Sequence, residues 1–339
     1  MKIRIYSNHI RQIHTCFLVL IVLLLVALVG SCSKKSEKVY HIGILSGFDF
    51  FYPIVDGFKD KMTRLGYIEG KNIAYEVEKS NVDVNKYRDI CKKFVADKVD
   101  LILSFPTEAS MEAKTIAQGA GIPLVFVNAF TENTNLINSV REPGGNITGV
   151  RWAGPDMALQ RLEIMCELVP KAKHFFIPYI KNYPIVKSQV EALHKVSKTA
   201  GLVVTDIPAN NATELDSVLK KQTEMAGKPD AIITIAEPLC VTPELHMILA
   251  KFAEKYKIPL GGVYMPIPNY ESLFGLTPQS IPQGNQAAFL ADKILKGTPA
   301  GTIPVVSAEC FLTINCKTAA KIGLAIDKGL LTRANEVIR

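Results

Sequence analysis

Two patterns of apolar residues divide this chain. From Cys16 to Val29 every residue is apolar, fourteen in succession, whereas from Tyr40 onward short apolar runs alternate with stretches of helical spacing. The short runs are IGIL (42–45), IAYEV (73–77), LIL (101–103), LVFV (124–127), FFI (175–177), LVVT (202–205), AIITI (231–235), PLGGV (259–263) and LFGL (273–276). Near-continuous aliphatic runs of this length suit parallel strands buried on both faces. Between the first two, Phe58, Met62 and Leu65 fall at i, i+4 and i+7, with Gly66 placed to end a helix. Residues 84–97, 107–118, 156–168, 183–200, 211–226, 243–256 and 278–296 share that spacing. Strand alternating with helix predicts an α/β fold of parallel sheets with right-handed crossovers, and this many units predicts two doubly wound sheets. PGGNITGVRW (143–152) breaks the alternation with Pro143, Gly144, Gly145 and Gly149, and is read as the seam between two series.

The long apolar run asks for a different solvent. It is too short to span a bilayer, which takes about 20 apolar residues. It follows a segment bearing Lys2, Arg4 and Arg11, with no acid before Glu37, and it ends in small residues. A basic segment, an apolar stretch and a small-residue exit describe an export signal. The exit, Val29-Gly30-Ser31-Cys32, resembles the lipobox of bacterial lipoproteins. That resemblance implies cleavage before Cys32 and lipidation of its thiol, and several acyl chains anchor firmly where one does not. Residues 1–31 are thus expected to be a signal peptide. Residues 32–39 would be the lipidated cysteine and a polar tether, placing the protein in the cell envelope, lipid-anchored to a bacterial membrane and facing the periplasm or the extracellular side.

Removing Lys2, Arg4 and Arg11 lowers the formal charge from +7 to +4. The remaining Lys and Arg are interspersed with acids, with nothing denser than pairs such as Lys92-Lys93, so no basic stripe points to nucleic acid. Beyond Cys16 and Cys32 stand Cys91, Cys166, Cys240, Cys310 and Cys316, an odd number without CxxC or metal-type spacing to histidine. They are expected to be small buried hydrophobes, with Cys310 and Cys316 unbridged. GxSxG, HExxH, a P-loop and GxGxxG are absent, so neither a catalytic motif nor a cofactor or metal site is expected.

What remains is position in the fold. Ligands of open α/β sheets lie outside the carboxyl ends of the strands. Those ends supply Ser46, Phe48, Asp49, Thr107, Asn128, Phe130, Tyr179, Glu237 and Tyr264 as ligand-binding candidates, with Trp152 just past the seam. Thr107 is placed either to cap the helix that follows or to offer its hydroxyl to a carboxylate. Glu237 precedes Pro238 at a helix start, where an acid suits the dipole or pairs with a ligand ammonium. Phe48, Phe50, Phe51 and Tyr52 are more aromatics than one turn needs, and Trp152 either packs beneath the seam or faces the ligand.

The segments GFKDKMTRLGYIEGKNIAYEVE (57–78), FVADKVDLIL (94–103), IPLVF (122–126), REPGGNITGV (141–150), LEIMCELVPKAK (162–173), AFLADKILKGTPAGTIPV (288–305) and TINCKTAAKIGL (313–324) resemble the substrate-binding lipoproteins of ABC importers. They are similar to the branch whose ligands include aromatic amino acids, and the resemblance covers essentially the whole chain after the signal. It implies a type I periplasmic-binding fold: two Rossmann-like lobes, three crossings between them, a ligand in the intervening cleft, closure on binding, and a permease with an ATPase as partners. Further crossings are implied near 276–278 and 306–311. The lobes would then be 40–149 plus 278–305 and 150–277 plus 306–339. The chain departs from the family where Thr-Pro-Ala becomes Thr107-Glu108-Ala109, Thr-Asp-Pro becomes Thr131-Glu132-Asn133, and Asp-Asn becomes Glu237-Pro238.

The expected function is capture of a small solute, with an amino acid as the family's default, and its delivery to an importer without chemistry. The alternative is an envelope sensing module reporting to a signalling partner. A hydrolase on this scaffold would need a nucleophile and base within reach, and the cleft positions include no histidine.

Overall fold

The computed structural model describes residues 38–80 and 83–339. The signal segment and Cys32 lie outside the described residues. From Tyr40 the chain runs through strand β1 (Tyr40–Ser46), helix α1 (Pro53–Arg64), β2 (Ile73–Lys79), α2 (Val84–Ala96), β3 (Leu101–Phe105), α3 (Thr107–Ala120), β4 (Leu124–Ala129) and β5 (Ile147–Arg151). It continues as α4 (Gly154–Leu168), β6 (His174–Tyr179), α5 (Val186–Ala200), β7 (Val203–Pro208), α6 (Ala212–Ala226), β8 (Ala231–Ile233), a short α7 (Pro238–Val241), α8 (Pro243–Tyr256) and β9 (Leu260–Gly261). It closes with β10 (Phe274–Pro278), α9 (Ser280–Leu295), β11 (Val306–Ser307), β12 (Cys310–Asn315), α10 (Cys316–Lys321), α11 (Lys328–Arg333) and β13 (Glu336–Ile338). All nine aliphatic runs became strands.

The helix ends follow local chemistry. Asp83 caps α2 by accepting from Asn85 and Lys86 N–H, and Asn211 caps α6 through Glu214 N–H. Gly121 and Gly201 end α3 and α5 in the left-handed region, which costs glycine little.

The first lobe is a six-stranded sheet in the order β11-β5-β4-β3-β1-β2, parallel throughout. Ile42, Ile44, Leu103 and Val125 face α1 and α9, while Leu45, Ile102, Leu124 and Phe126 pack with Tyr87, Phe94 and Ala113 of α2 and α3. α9 returns to this lobe and crosses α1 backbone to backbone: a Cβ on Gly57 would lie 2.2 Å from the Ile281 carbonyl oxygen. A second sheet, β7-β6-β8-β9, is also parallel. It continues into β10-β12-β13 through the Gly262–Gly275 bridge and the Leu273 N–H to Leu260 carbonyl bond (2.7 Å), and together they form the second lobe.

The chain passes between lobes three times, after Arg151, after Pro278 and after Ser307. Glycine spacing did not reveal β5. Gly144 and Gly145 do break the chain, with φ of +76° and +55°, but Gly149 sits inside the strand, where a Cβ would lie 2.3 Å from the Phe126 carbonyl oxygen. A division at 149/150 therefore cuts a strand, and Val306–Ser307 pair with Val150–Arg151 in the first sheet. All five described cysteines are free, with Cys310 opening the extended β12 and Cys316 opening the helix that follows it.

Candidate functional site

The carboxyl ends of the parallel strands meet where the three crossings run. On the first lobe, β1 ends at Ser46, whose hydroxyl is buried without a hydrogen-bond partner. Gly47 follows and donates its N–H to the Phe105 carbonyl (2.8 Å). Phe48 and Phe50 are exposed, at 42% and 67%, in edge-to-face contact with Phe51. Asp49 pairs with Lys79 (3.1 Å), which also lies over the Tyr52 ring (4.1 Å). This loop is an outward aromatic rim, and its acid is already engaged.

At β3, Pro106 holds the cap position of α3 and Thr107 lies inside the first turn, which corrects the capping expectation for Thr107. Its hydroxyl accepts the Phe130 N–H (3.1 Å), tying the ends of β3 and β4 together. Asn128, where the β4–β5 register shifts, has φ +54°, a region asparagine tolerates better than most residues. It is buried, and its Oδ1 has no partner.

The crossing after β5 carries Trp152, 8% exposed, with its ring stacked on Phe130 (centroids 6.0 Å apart, planes 10° apart). Met157 and Ala236 complete this apolar cluster, with Ile185 and Cys310 against it, so it draws on both lobes and on the crossings. The Trp152 Nε1 is buried without a partner. Gly154 permits the stack, since a Cβ there would lie 2.2 Å from Phe130 Cε1. Beside it, the Arg151 guanidinium is bound to Glu132, to the Ser307 hydroxyl (3.1 Å) and to Asp156 (3.6 Å).

On the second lobe, Glu237 is 4% exposed and caps α7. One carboxylate oxygen accepts Cys240 N–H and the other Ile180 N–H, each at 3.1 Å. Burial raises its carboxyl above the ordinary range, although backbone N–H groups of Ile180, Leu239 and Cys240 pull it down. Gln189 of α5, which the sequence did not single out, donates to the Ala236 carbonyl (3.0 Å) and accepts Ala236 N–H (3.2 Å), fixing the segment that follows β8. Arg161 of α4 is completely buried, forms no ion pair among the described residues and leaves its Nη1 without a partner there. Its Nε and Nη2 both donate to the Leu276 carbonyl (3.0 and 2.7 Å) just before the second crossing, and burial lowers it to about 10.

Two candidates are turned elsewhere. Tyr179 is pushed up to about 12 by burial and by the nearby Asp206 carboxylate. Burial raises the Tyr264 hydroxyl while the nearby Asn315 side chain pulls it down, and Asn315 is level with Leu273 at the end of β12 remote from the crossings. The structure gathers Ser46, Thr107, Asn128, Phe130, Trp152 and Glu237 at the junction, leaves Phe48 and Asp49 on the rim, and sends Tyr179 and Tyr264 away.

Besides the Arg151–Asp156 pair at the first crossing, one side-chain hydrogen bond among the described residues joins the facing loops of the two lobes. Tyr183, from the loop after β6, donates its hydroxyl to Glu108 Oε1 of α3 (3.0 Å). Burial, then Glu108, raise the Tyr183 hydroxyl, with smaller contributions from Glu237 and Tyr87. Tyr87 itself donates to the Gly47 carbonyl (3.4 Å). Glu108 stood out in the sequence only as a departure from a family pattern, and nothing local marked Tyr183, 75 residues away. Two surface concavities, of about 220 and 440 Å³, lie elsewhere on the second lobe, against α8, and involve none of these loops.

A family described as ABC transporter substrate binding protein matches residues 42–338. A tyrosine-binding protein of Clostridioides difficile (strain R20291) is 27% identical over 289 residues, covering 81% of this chain and 78% of that protein. Among solved structures, a Streptococcus pneumoniae ABC domain in complex with L-Trp superposes with TM-score 0.74 at 23% identity, covering 89% of this chain and all of that one. The ligand-free, open form of a substrate-binding protein with adhesive properties from Clostridium difficile gives 0.74 at 22%, covering 88% and 99%. The fold is that of the type I periplasmic-binding proteins. Among the described residues no helix is long and apolar enough to cross a membrane. With the match running through both lobes and all three crossings, the chain belongs to the family of ABC transporter substrate-binding proteins.

Proposed function

We propose that this protein captures an amino acid, with an aromatic one as first choice, in the cleft between its lobes and presents it to an ABC permease powered by an ATPase. The observation that carries this reading is the pairing of buried, unpartnered polar atoms with a stacked aromatic floor. Ser46 Oγ, Asn128 Oδ1 and Trp152 Nε1 lack partners among the described residues, and Trp152 stacks on Phe130, two residues after Asn128. A closing cleft that offers a few polar groups and an apolar surface suits a small amphipathic solute. The tyrosine- and tryptophan-binding relatives support the same choice. In this reading the lobes rotate about the three crossings, the export signal is removed, and lipid on Cys32 holds the protein at the membrane surface.

Thermal unfolding of the full-length protein in detergent, against a panel of amino acids with sugars as controls, tests the reading. A ligand at 100 times its dissociation constant adds about 2.7 kcal/mol, and each kcal/mol moves the midpoint by roughly 2 °C in a protein of this size. A shift with tyrosine, tryptophan or phenylalanine is the expected result. A shift with sugars alone, or with none of the panel, contradicts it.

A further inference from the structure

The charged groups around the junction are unequally engaged. Arg151 is bound by Glu132 and Asp156, Lys79 by Asp49, and Lys181 by Glu214. Both oxygens of Glu237 are taken by backbone N–H groups. Glu108 differs from all of these. Among the described residues no cation lies within ion-pair distance of it, and the partner the structure gives it is the neutral hydroxyl of Tyr183, on the opposite wall. A carboxylate binds a charged nitrogen more strongly than a neutral hydroxyl, so this bond is open to replacement by a cationic donor entering the cleft.

The surroundings point to a ligand independently of the acid. Thr107, next to Glu108, holds the Phe130 N–H, and Phe130 stacks on Trp152, whose Nε1 is more than nine-tenths buried and has no partner. An aromatic surface with an unsatisfied donor thus adjoins a carboxylate that lacks a cation.

We propose that Glu108 selects the positively charged nitrogen of the ligand, which takes the place of the Tyr183 hydroxyl. The Glu108–Tyr183 bond is then both a clasp between the lobes and the contact a ligand has to displace. This rests on the cleft being the binding site. It adds the specificity residue, the chemical class it requires (an ammonium-bearing ligand with an aromatic group) and a competition with closure. Removing the Tyr183 hydroxyl deletes a competitor, whereas removing the Glu108 charge deletes the recognition.

The two roles have opposite signs in one experiment. Trp152 is the only tryptophan in the chain and stacks at the junction, so acrylamide quenching of its emission reports opening of the full-length protein in detergent. Three probes report selection: phenylalanine, phenethylamine (ammonium without carboxylate) and 3-phenylpropionate (carboxylate without ammonium). Tyr183→Phe and Glu108→Gln should each increase quenching of the ligand-free protein. Tyr183→Phe should tighten phenylalanine and phenethylamine about two- to tenfold, and Glu108→Gln should weaken both about tenfold or more. Glu108→Asp, which keeps the charge, should retain the preference for amines over 3-phenylpropionate.

Weaker amine binding by Tyr183→Phe would make that hydroxyl a ligand contact and overturn the competition. Unchanged amine affinity in Glu108→Gln would overturn the selection, and unchanged quenching in both variants would overturn the clasp. If none of the probes binds the wild type, the selection falls, while the thermal panel with tyrosine and tryptophan still decides the aromatic-ligand reading and quenching decides the clasp by itself.

Discussion

At the cleft edge of the first lobe, Ser46 Oγ and Asn128 Oδ1 are buried with no partner among the described residues. At the matching edge of the second lobe, three polar side chains are bound to their own backbone, although Arg161 Nη1 and Thr277 Oγ1 elsewhere in that lobe lack partners among the described residues. Glu237 accepts two N–H groups, Gln189 grips Ala236 from both ends of its amide, and the Thr234 hydroxyl lies between Gly261 O and Val263 N–H. Both edges are built from loops after parallel strands, yet one holds polar capacity in reserve and the other uses it to fix its own shape. Reserve costs stability, because an unpaired buried group forfeits its hydration, and it returns that cost only when a ligand supplies the partner. In the proposed reading this difference gives recognition to the first lobe and rigidity to the second.

Substitutions can break that division. The largest effect is expected at Arg161, which holds the Leu276 carbonyl from inside the second lobe. Arg161→Ala leaves a cavity and an orphaned carbonyl, so it should lower unfolding stability by about 3 kcal/mol or more in a denaturant titration. Glu237→Gln comes next, at roughly 1–2 kcal/mol, because a donor replaces one of two engaged acceptor oxygens. It should also change the pH profile. An acid that burial makes harder to ionise holds its proton more tightly when folded. Its stability is therefore full below the ordinary value near 4.5 and declines as pH rises through the raised folded value. The wild type should show that decline in denaturant titrations across pH, the variant should lack it, and the gap between them should narrow as pH rises. The smallest effect on stability is expected for Ser46→Ala, within about 0.5 kcal/mol, together with about tenfold weaker binding of the amino acid by calorimetry. A loss of stability there, with affinity intact, would place Ser46 among the structural groups.

The central strands of both sheets were legible because each is an aliphatic run buried on both faces, as Leu101–Leu103 and Ala231–Ile235 are. β5 was not, because Gly149 reads as a breaker until the Phe126 carbonyl explains why a side chain cannot stand there. β11 and β13 are two and three residues long, too short for any periodicity. At the candidate site, position after a strand was what singled out Ser46, Asn128, Phe130 and Glu237. It could not distinguish Tyr183, which reaches across the cleft, from Tyr264, which turns back toward Asn315. The direction of a loop side chain depends on which distant element receives it. Neither the Glu108–Tyr183 bond nor the Gln189 clamp on Ala236 is encoded in local spacing.

The account turns on the ligand lying between the lobes, and hydrogen–deuterium exchange measures this most directly. Full-length protein in detergent would be compared with and without the amino acid that gives the largest thermal shift. The account predicts slowed exchange on both walls, in residues 46–52, 106–110 and 128–132 of the first lobe and 179–185 and 235–240 of the second, with the crossing at 151–154. Protection confined to one lobe, or to the concavities against α8, would contradict it.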